Sequence, residues 1–411
     1  MGLIEELNGI IRNDPKKFGG VSDFDFTTKT GFKNFDYLNG QIVTLDSGDK
    51  QLYTGLSNGR IVQIIGKSGT GKSTLAMQIG ANIIQRYEDG LLYLYDFEQN
   101  NTKERFRSVT GVSEEYYKQH CTILRDGINT EAVLETLAKI KELKLAHESE
   151  VLVDNENGIK DPESGKLLKV LPPTVVIIDS LAMMMPRDVM SEEEMAGSMQ
   201  ATTIAKSNTQ FFKRAVQICN RANIILIMVN HITQQIAIGV TPPSAVVNYL
   251  KQDEAISGGK AAMYVTDTLI KITAGSKLEE DKLWGVKGFE AKVEICKSRH
   301  APAGRSTNMI YDQTNGFRND LSMLDYIKSC GALKGNGMAY YIDGYDQYKF
   351  KLSNYKEKFE TIPEFRNLIE KTADTLMKAS IKESDNIRVT KEEVPAEINM
   401  EETGDANVNN K

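Results

Sequence analysis

The segment Arg60-Ile61-Val62-Gln63-Ile64-Ile65 runs directly into Gly66-Lys67-Ser68-Gly69-Thr70-Gly71-Lys72-Ser73 and then into Thr74-Leu75-Ala76-Met77-Gln78-Ile79. The first six residues read as a strand and the last six as a helix. The eight between them fit the pattern GxxxxGK[ST]. Glycines at this spacing let the backbone wrap an anion, with successive N–H groups pointing inward at the positive end of the following helix. Such a nest holds a polyphosphate. Lys72 supplies a point charge to the β- and γ-phosphates, and Ser73 offers its hydroxyl to Mg²⁺. The plainer reading, a glycine-rich turn that merely starts a helix, is disfavoured by the correct flanks. Gly66 to Thr74 are therefore the expected nucleoside-triphosphate site.

Working outward, Val175-Val176-Ile177-Ile178-Asp179-Ser180 is an apolar run that ends in an acid. Alone that is commonplace, but beside a P-loop an Asp at a strand's C-terminal end reaches the magnesium ion. Leu91–Tyr95 leads into Asp96-Phe97-Glu98. An ionised Glu98 would polarise the water that attacks the γ-phosphate, although a helix N-cap acid pair is the simpler alternative. Further strand-like runs are Ile224–Val229, Thr268–Ile272 and Ala291–Cys296, with helical patterns at Ser73–Arg86 and Thr130–Leu145. This alternation predicts an α/β fold, a largely parallel central sheet with flanking helices. The expected units are an N-terminal helix and linker (1–26), an ATPase core (27–320), a small C-terminal α+β domain (321–378) and an acidic disordered tail (379–411). A polar, turn-rich hairpin at 148–169 interrupts the core and has no assignable role.

The 411 residues are 40% hydrophobic and 26% charged, ordinary globular usage that excludes wholesale disorder and collagen-like repeats. The net charge is −6, of which −5 falls in 392–411, so charge neither announces a nucleic-acid binder nor excludes one. The start, MGLIEELNGIIRND, is acidic where a signal peptide needs basic residues, and Glu6 spoils a myristoylation pattern. The longest aliphatic run, Ile224–Val229, is far short of the ~20 residues a bilayer span needs. Cys121, Cys219, Cys296 and Cys330 are isolated and read as reduced thiols of a cytosolic protein. His120, His147, His231 and His300 show no zinc-ligand spacing.

With these residues in place, the chain resembles the RecA-type DNA recombinases from about residue 28 to 378. The resemblance is carried by Thr30-Gly31, Gly55-Leu56-Ser57-Asn58-Gly59-Arg60, the P-loop, Asp96-Phe97-Glu98 and Asp179-Ser180 followed by Pro186-Arg187. It continues in Val229-Asn230-His231, Ser257-Gly258-Gly259-Lys260 and Lys297-Ser298-Arg299, all in the family's order. It implies a RecA-like core. Asn230 and His231 match the sensor that feels the γ-phosphate and couples it to a DNA-binding loop. Bacterial RecA has Gln at the second position and the phage recombinase UvsX has His, so the phage branch is the closer likeness. Without the resemblance, His231 reads equally as a satisfied strand-end side chain.

Lys297 and Arg299 lie two apart at a strand end and so share a face. They match the basic pair that RecA-like subunits extend to a neighbour's γ-phosphate; a solvated basic strand end would look the same. Segments 186–200 and 232–259 match the family's DNA loops. Met199 and Ile236 fall at or near positions where an apolar side chain wedges between bases, although core packing also explains the Met stripe around Met199. Arg187, Gly258, Gly259 and Lys260 complete the expected DNA contacts. Thr102 and Arg105 stand where bacterial RecA holds the adenine with Asp and Tyr; Arg105 can still stack on a base. The acidic tail resembles one that moderates duplex access in the family, and plain solubility explains it equally well.

The resemblance thus implies a DNA-dependent ATPase acting as a DNA recombinase, with ATP and Mg²⁺ as cofactors. Its expected partners are single- and double-stranded DNA, further copies of itself in a helical filament, a single-strand-binding protein and a loading mediator. The N-terminal helix would dock on the neighbouring core. The expected location is the bacterial cytoplasm, in a phage-infected host for the phage branch, with no membrane. Two alternatives stand beside it. A hexameric RecA-fold helicase shares the P-loop, the acid after it and the basic pair, but only about 50 residues precede the core here. A nucleotide-binding scaffold with little turnover needs neither Glu98 nor His231.

Overall fold

The computed structural model describes residues 26–44, 48, 50–161, 164–191, 197–234, 249–251, 254–257, 259–280, 284–336 and 339–381. The P-loop strand is the second of the parallel strands in a ten-stranded sheet. In chain order these strands are β1 (Ile61–Gly66), β2 (Leu91–Asp96), β3 (Cys121–Leu124), β4 (Thr174–Asp179), β5 (Ile224–Gln234), β6 (Glu254–Ile256), β7 (Thr268–Leu278), β8 (Gly288–Lys297), β9 (Ser306–Asp312) and β10 (Gly316–Arg318). Across the sheet the order is β10-β9-β8-β7-β1-β5-β4-β2-β3, with β6 paired to the far end of β5. Every pair from β7 to β3 is parallel, and β7 to β10 form an antiparallel edge. The six apolar runs read from the sequence are all strands of this one sheet, so the α/β fold with a largely parallel centre holds: it is a RecA-like P-loop NTPase core.

Strand side chains alternate between two hydrophobic layers, as a period of two requires. Val62, Ile64, Val175, Ile177, Ile225 and Ile227 face one layer, which helices α1 (Lys72–Ile84) and α2 (Lys103–Thr110) close with Leu75, Ile79, Ile83 and Phe106. Ile61, Val176, Ile178, Leu226 and Met228 face the other, closed by Val133 and Leu137 of α3 (Thr130–Ala146) and by Phe211, Phe212 and Ala215 of α4 (Gly197–Ala222). Covering on both faces is why the central strands read as unbroken aliphatic runs rather than alternating ones. Each such buried side chain contributes about 1.5–3 kcal/mol.

A short helix α5 (Gly259–Val265) leads into β7. Beyond the sheet, helices α6 (Asn319–Ser329), α7 (Leu352–Thr361) and α8 (Pro363–Ala379) gather around Leu324, Ile327, Phe350, Tyr355, Phe365 and Ile369. Ile310 of β9 joins that cluster, so this unit packs on the antiparallel edge of the sheet. The 148–169 segment opens with a helical turn at Glu148–Val151 and then pairs Val153–Asp154 with Lys169–Val170. No described helix is long and apolar enough to cross a membrane. Residues 1–25, the tail from 382 onward, Ile236 and Gly258 lie outside the described residues.

Candidate nucleotide site

Strand register assembles the site. Gly66, the last residue of β1, lies level with His231 of β5 and Ile272 of β7, and Asp179 of β4 lies level with Asp96 of β2 and Val229 of β5. The P-loop, Asp179, the 96–98 turn and His231 therefore share the C-terminal rim of the parallel strands, where α/β sheets bind ligands.

Gly71 caps α1 in the left-handed conformation at φ +86°, which a side chain would strain. A Cβ at Gly66 would come within 2.6 Å of the Ile272 carbonyl. The Lys72 Nζ donates to the Lys67 carbonyl at 2.7 Å, which folds the side chain across the loop it serves. Burial lowers its pKa, against the pull of the Asp179 and Glu98 charges. Asp179 Oδ2 accepts from Asn101 Nδ2 at 2.9 Å, whereas its Oδ1 is buried with no hydrogen-bond partner. Burial pushes this carboxyl up, opposed by Asn101 and Ser73 and reinforced by the Glu98 and Asp96 charges.

A buried, unpartnered carboxylate oxygen beside the P-loop serine suits a magnesium ion. Among the described residues no group of three or more His, Cys, Asp or Glu could hold a metal by itself. Such an ion would therefore rely on phosphate and water oxygens, as Mg²⁺ commonly does.

Asp96 is fully buried and spent on structure. It accepts from the Asn100 and Asn101 N–H groups and from Asn101 Nδ2, and pairs with Arg125 Nε at 3.1 Å. These bonds fix the turn that delivers Glu98. Glu98 Oε1 meets His231 Nε2 at 2.7 Å. Its partial burial would raise the carboxyl, but the Ser180 hydroxyl, His231 and the Lys72 charge outweigh it and hold Glu98 below the usual range. Glu98 is thus ionised at neutral pH, as a general base must be.

Beyond His231, β5 continues as Ile232–Gln234 and pairs with β6, Ile232 opposite Ile256 and Gln234 opposite Glu254. Asn230 Nδ2 donates to the Ser257 carbonyl at 2.7 Å. Lys271 Nζ donates to the Tyr249 carbonyl at 2.7 Å and stands 3.6 Å from Glu254. The C-terminal root of the 232–259 segment is therefore tied both to the strand that carries His231 and to the strand beside the P-loop, and the N-terminal root is that first strand's own continuation.

Lys297 Nζ donates to the carbonyls of Met263 (2.8 Å) and Tyr264 (3.2 Å), and Arg299 Nη2 to Tyr264 (2.7 Å), so both cations cap the C-terminus of α5. Burial lowers the Lys297 pKa, helped by Arg299 and opposed by Asp267. Arg187 is exposed; its N–H donates to Glu131 and its guanidinium lies 3.6 Å from Glu135. Met199 and Lys260 belong to the first turns of α4 and α5, and Gly259 opens α5. Thr102 caps α2 by accepting from the Arg105 N–H, and the Arg105 guanidinium donates to the carbonyls of Gln313 and Thr314 and to the Tyr311 hydroxyl. The structure adds two residues that sequence reasoning missed. Tyr311 stacks on Phe289 at 4.6 Å and meets Phe317 edge-on at 5.1 Å, and a Cβ at Gly71 would touch both Phe317 and Tyr311. These rings come from β9 and β10, far downstream of the P-loop, and no local motif marks them.

The fold and this site define a P-loop NTPase of the RecA-like kind. Residues 47–235 match the profile of the AAA domain family. The chain is 24% identical over 316 residues to a protein named Protein RecA from Wolbachia sp. subsp. Brugia malayi, covering 77% of this chain and 75% of that protein. It is 23% identical to Protein RecA of Aquifex pyrophilus, covering 75% of this chain and 76% of that protein. With Protein RecA of Macrococcus caseolyticus it shares 21% identity over 393 residues, 95% of this chain and 96% of that one. These are likenesses to RecA proteins at low identity, spread over most of the chain.

Proposed function

We propose that the chain is a DNA-dependent ATPase that assembles with ATP into helical filaments on single-stranded DNA, pairs that strand with a homologous duplex and exchanges strands. Within the family it belongs with the phage UvsX branch, on the strength of His231. The observation that carries the reading is the 2.7 Å contact between Glu98 and His231. On this reading Glu98 polarises the water that attacks the γ-phosphate. His231 lies level with the P-loop and continues directly into the paired root of the second DNA loop. A γ-phosphate competes with Glu98 for the imidazole, so nucleotide state is felt at the loop root, and ATP favours a state with high DNA affinity that hydrolysis releases.

Bound Mg²⁺ would neutralise phosphate charge, with Ser73 and Asp179 holding it. Tyr311, with Arg105 on its hydroxyl, offers a face for the nucleotide base. The basic pair cannot serve its own P-loop. Lys297 is level with Leu269, whereas Gly66 is level with Ile272; three residues of strand are about 10 Å. This offset supports a reading in which Lys297 and Arg299 stabilise a phosphate on a neighbouring subunit, with the N-terminal helix docking on the neighbouring core.

ATP hydrolysis with and without single-stranded DNA, alongside negative-stain images of the same samples, tests the proposal. Strong stimulation together with helical filaments is expected. Stimulation with closed rings would point to a helicase on the same core, and absence of stimulation would reject the DNA dependence.

A further inference from the structure

His300 follows Arg299 directly in the chain, but its side chain is only 10% exposed. Its Nδ1 lies 2.7 Å from Ser57 Oγ, 3.4 Å from Asp267 Oδ2 and 3.5 Å from Ser298 Oγ. On the other side of the ring, Nε2 lies 3.0 Å from Asn39 Nδ2. Asn39 ends the short helix Lys33–Leu38, Ser57 pairs with Thr27, and Asp267 joins α5 to β7. One imidazole thus ties the turn after β8 to three other parts of the chain.

The bonding pattern assigns the tautomer. Asn39 Nδ2 also donates to the Gly55 carbonyl at 2.7 Å, so the amide nitrogen, not the oxygen, faces Nε2. This leaves Asn39 Oδ1 buried without a partner, but the reverse orientation would set two oxygens against each other at Gly55. Nε2 therefore accepts, and the ring proton sits on Nδ1, aimed at Ser57 and the Asp267 carboxylate. Burial raises the Asp267 carboxyl, but His300, Thr268 and the Arg60 charge outweigh it and hold it below the usual range. The Asp267 backbone is fixed as well, since its N–H donates to the Ile61 carbonyl of β1 at 2.8 Å.

Lys297 and Arg299 grip α5 by side-chain bonds to the carbonyls of Met263 and Tyr264. A cation that turns to a phosphate elsewhere gives such bonds up, and they no longer hold the turn. The His300 bonds are buried, involve neither cation and survive that exchange. We propose that His300 is a positioning residue: anchored to Asp267, Ser57 and Asn39, it fixes the backbone from which Lys297 and Arg299 reach a phosphate on a neighbouring subunit. The proposal rests on the reading that this pair serves a neighbour. A preset backbone matters because a displacement of about 1 Å costs on the order of a hundredfold in rate.

Mixing full-length Arg299→Ala and Lys72→Ala subunits tests it, because hydrolysis recovered there comes from P-loops of the first meeting basic pairs of the second. His300→Leu placed in the Lys72→Ala subunit should lower the recovered kcat about tenfold, with the KM for ATP unchanged. The same change placed in the Arg299→Ala subunit should leave recovery as it was, since that subunit's basic pair is already disabled. His300→Asn in the Lys72→Ala subunit keeps an N–H where Nδ1 stands and should restore most of the loss. If the starting mixture shows no recovery, the neighbour reading fails and the proposal falls with it. If it recovers, but His300→Leu lowers the rate equally in either subunit or in neither, the neighbour reading stands and the positioning role is overturned. His300→Asn no better than His300→Leu would overturn it too.

Discussion

Glu98 is held ionised by neighbours that oppose its burial, and the balance can be tipped at single residues. Glu98→Gln keeps the shape of the side chain and removes its basicity. Nucleotide binding should persist, read by fluorescence of a labelled ATP analogue, while turnover falls about 10²–10⁴-fold. Undiminished hydrolysis would remove Glu98 from the mechanism. The pH profile separates the role of His231. Catalysis needs the carboxylate, so activity is lost as pH falls through the Glu98 pKa, which lies below the usual value because Ser180, His231 and Lys72 together outweigh burial. His231→Gln keeps a hydrogen bond but removes the imidazole charge, so burial regains weight and the pKa rises. The acid limb of kcat should therefore move to higher pH. An unmoved limb would show that Glu98 does not depend on the contact. The same residues mark how far the sequence could be read. Glu98 and His231 were both visible as candidates, but not that they touch, because 133 positions separate them in the chain and strand order alone brings them together.

At the level of elements, legibility followed periodicity. The central strands read correctly because burial on both faces leaves unbroken aliphatic runs. Cys121–Leu124 is only four residues long, and Ser306–Asp312 opens with three polar residues and ends in an acid, so neither stood out as a strand. The two outer strands of the antiparallel edge, β9 and β10, and with them Tyr311 and Phe317 beside the P-loop, were accordingly missed. Polar ties between elements were also illegible, since Lys271, Glu254 and Tyr249 carry no motif. That tie makes its own prediction. Lys271 sits on the strand beside β1 and holds the C-terminal root of the second loop through the Tyr249 carbonyl and the buried Glu254. Removing the lysine alone would strand a buried carboxylate, a change of about 3–5 kcal/mol. The informative variant is therefore Lys271→Met with Glu254→Gln, which removes both charges together. It should leave hydrolysis without DNA near the parental rate while lowering its stimulation by single-stranded DNA several-fold. Equal losses with and without DNA would show that the pair merely stabilises the fold.

For the whole molecule, the two ends of the parallel strands divide the labour. The C-terminal rim carries the P-loop, Asp179, Glu98 and His231. Toward the opposite rim stand Lys297 and Arg299, gathered on the carbonyls that end α5. If Lys297 and Arg299 serve a neighbour's phosphate, as proposed, the site is completed only when copies join head to tail, the arrangement that yields rings or open helices. Complementation tests this directly. An Arg299→Ala subunit keeps its P-loop but has a weakened basic pair, whereas a Lys72→Ala subunit keeps the pair but lacks its phosphate lysine. Each variant alone should assemble and hydrolyse ATP poorly. Mixed in equal amounts, random neighbours would place an intact P-loop against an intact basic pair at roughly a quarter of the interfaces, and hydrolysis should recover to about that fraction of the parental rate. Adding excess Lys72→Ala subunit should raise the rate per Arg299→Ala subunit, because each surviving P-loop then meets an intact neighbour more often. A mixture no more active than the sum of its parts would place Lys297 and Arg299 outside the chemistry and leave them as the cap of α5.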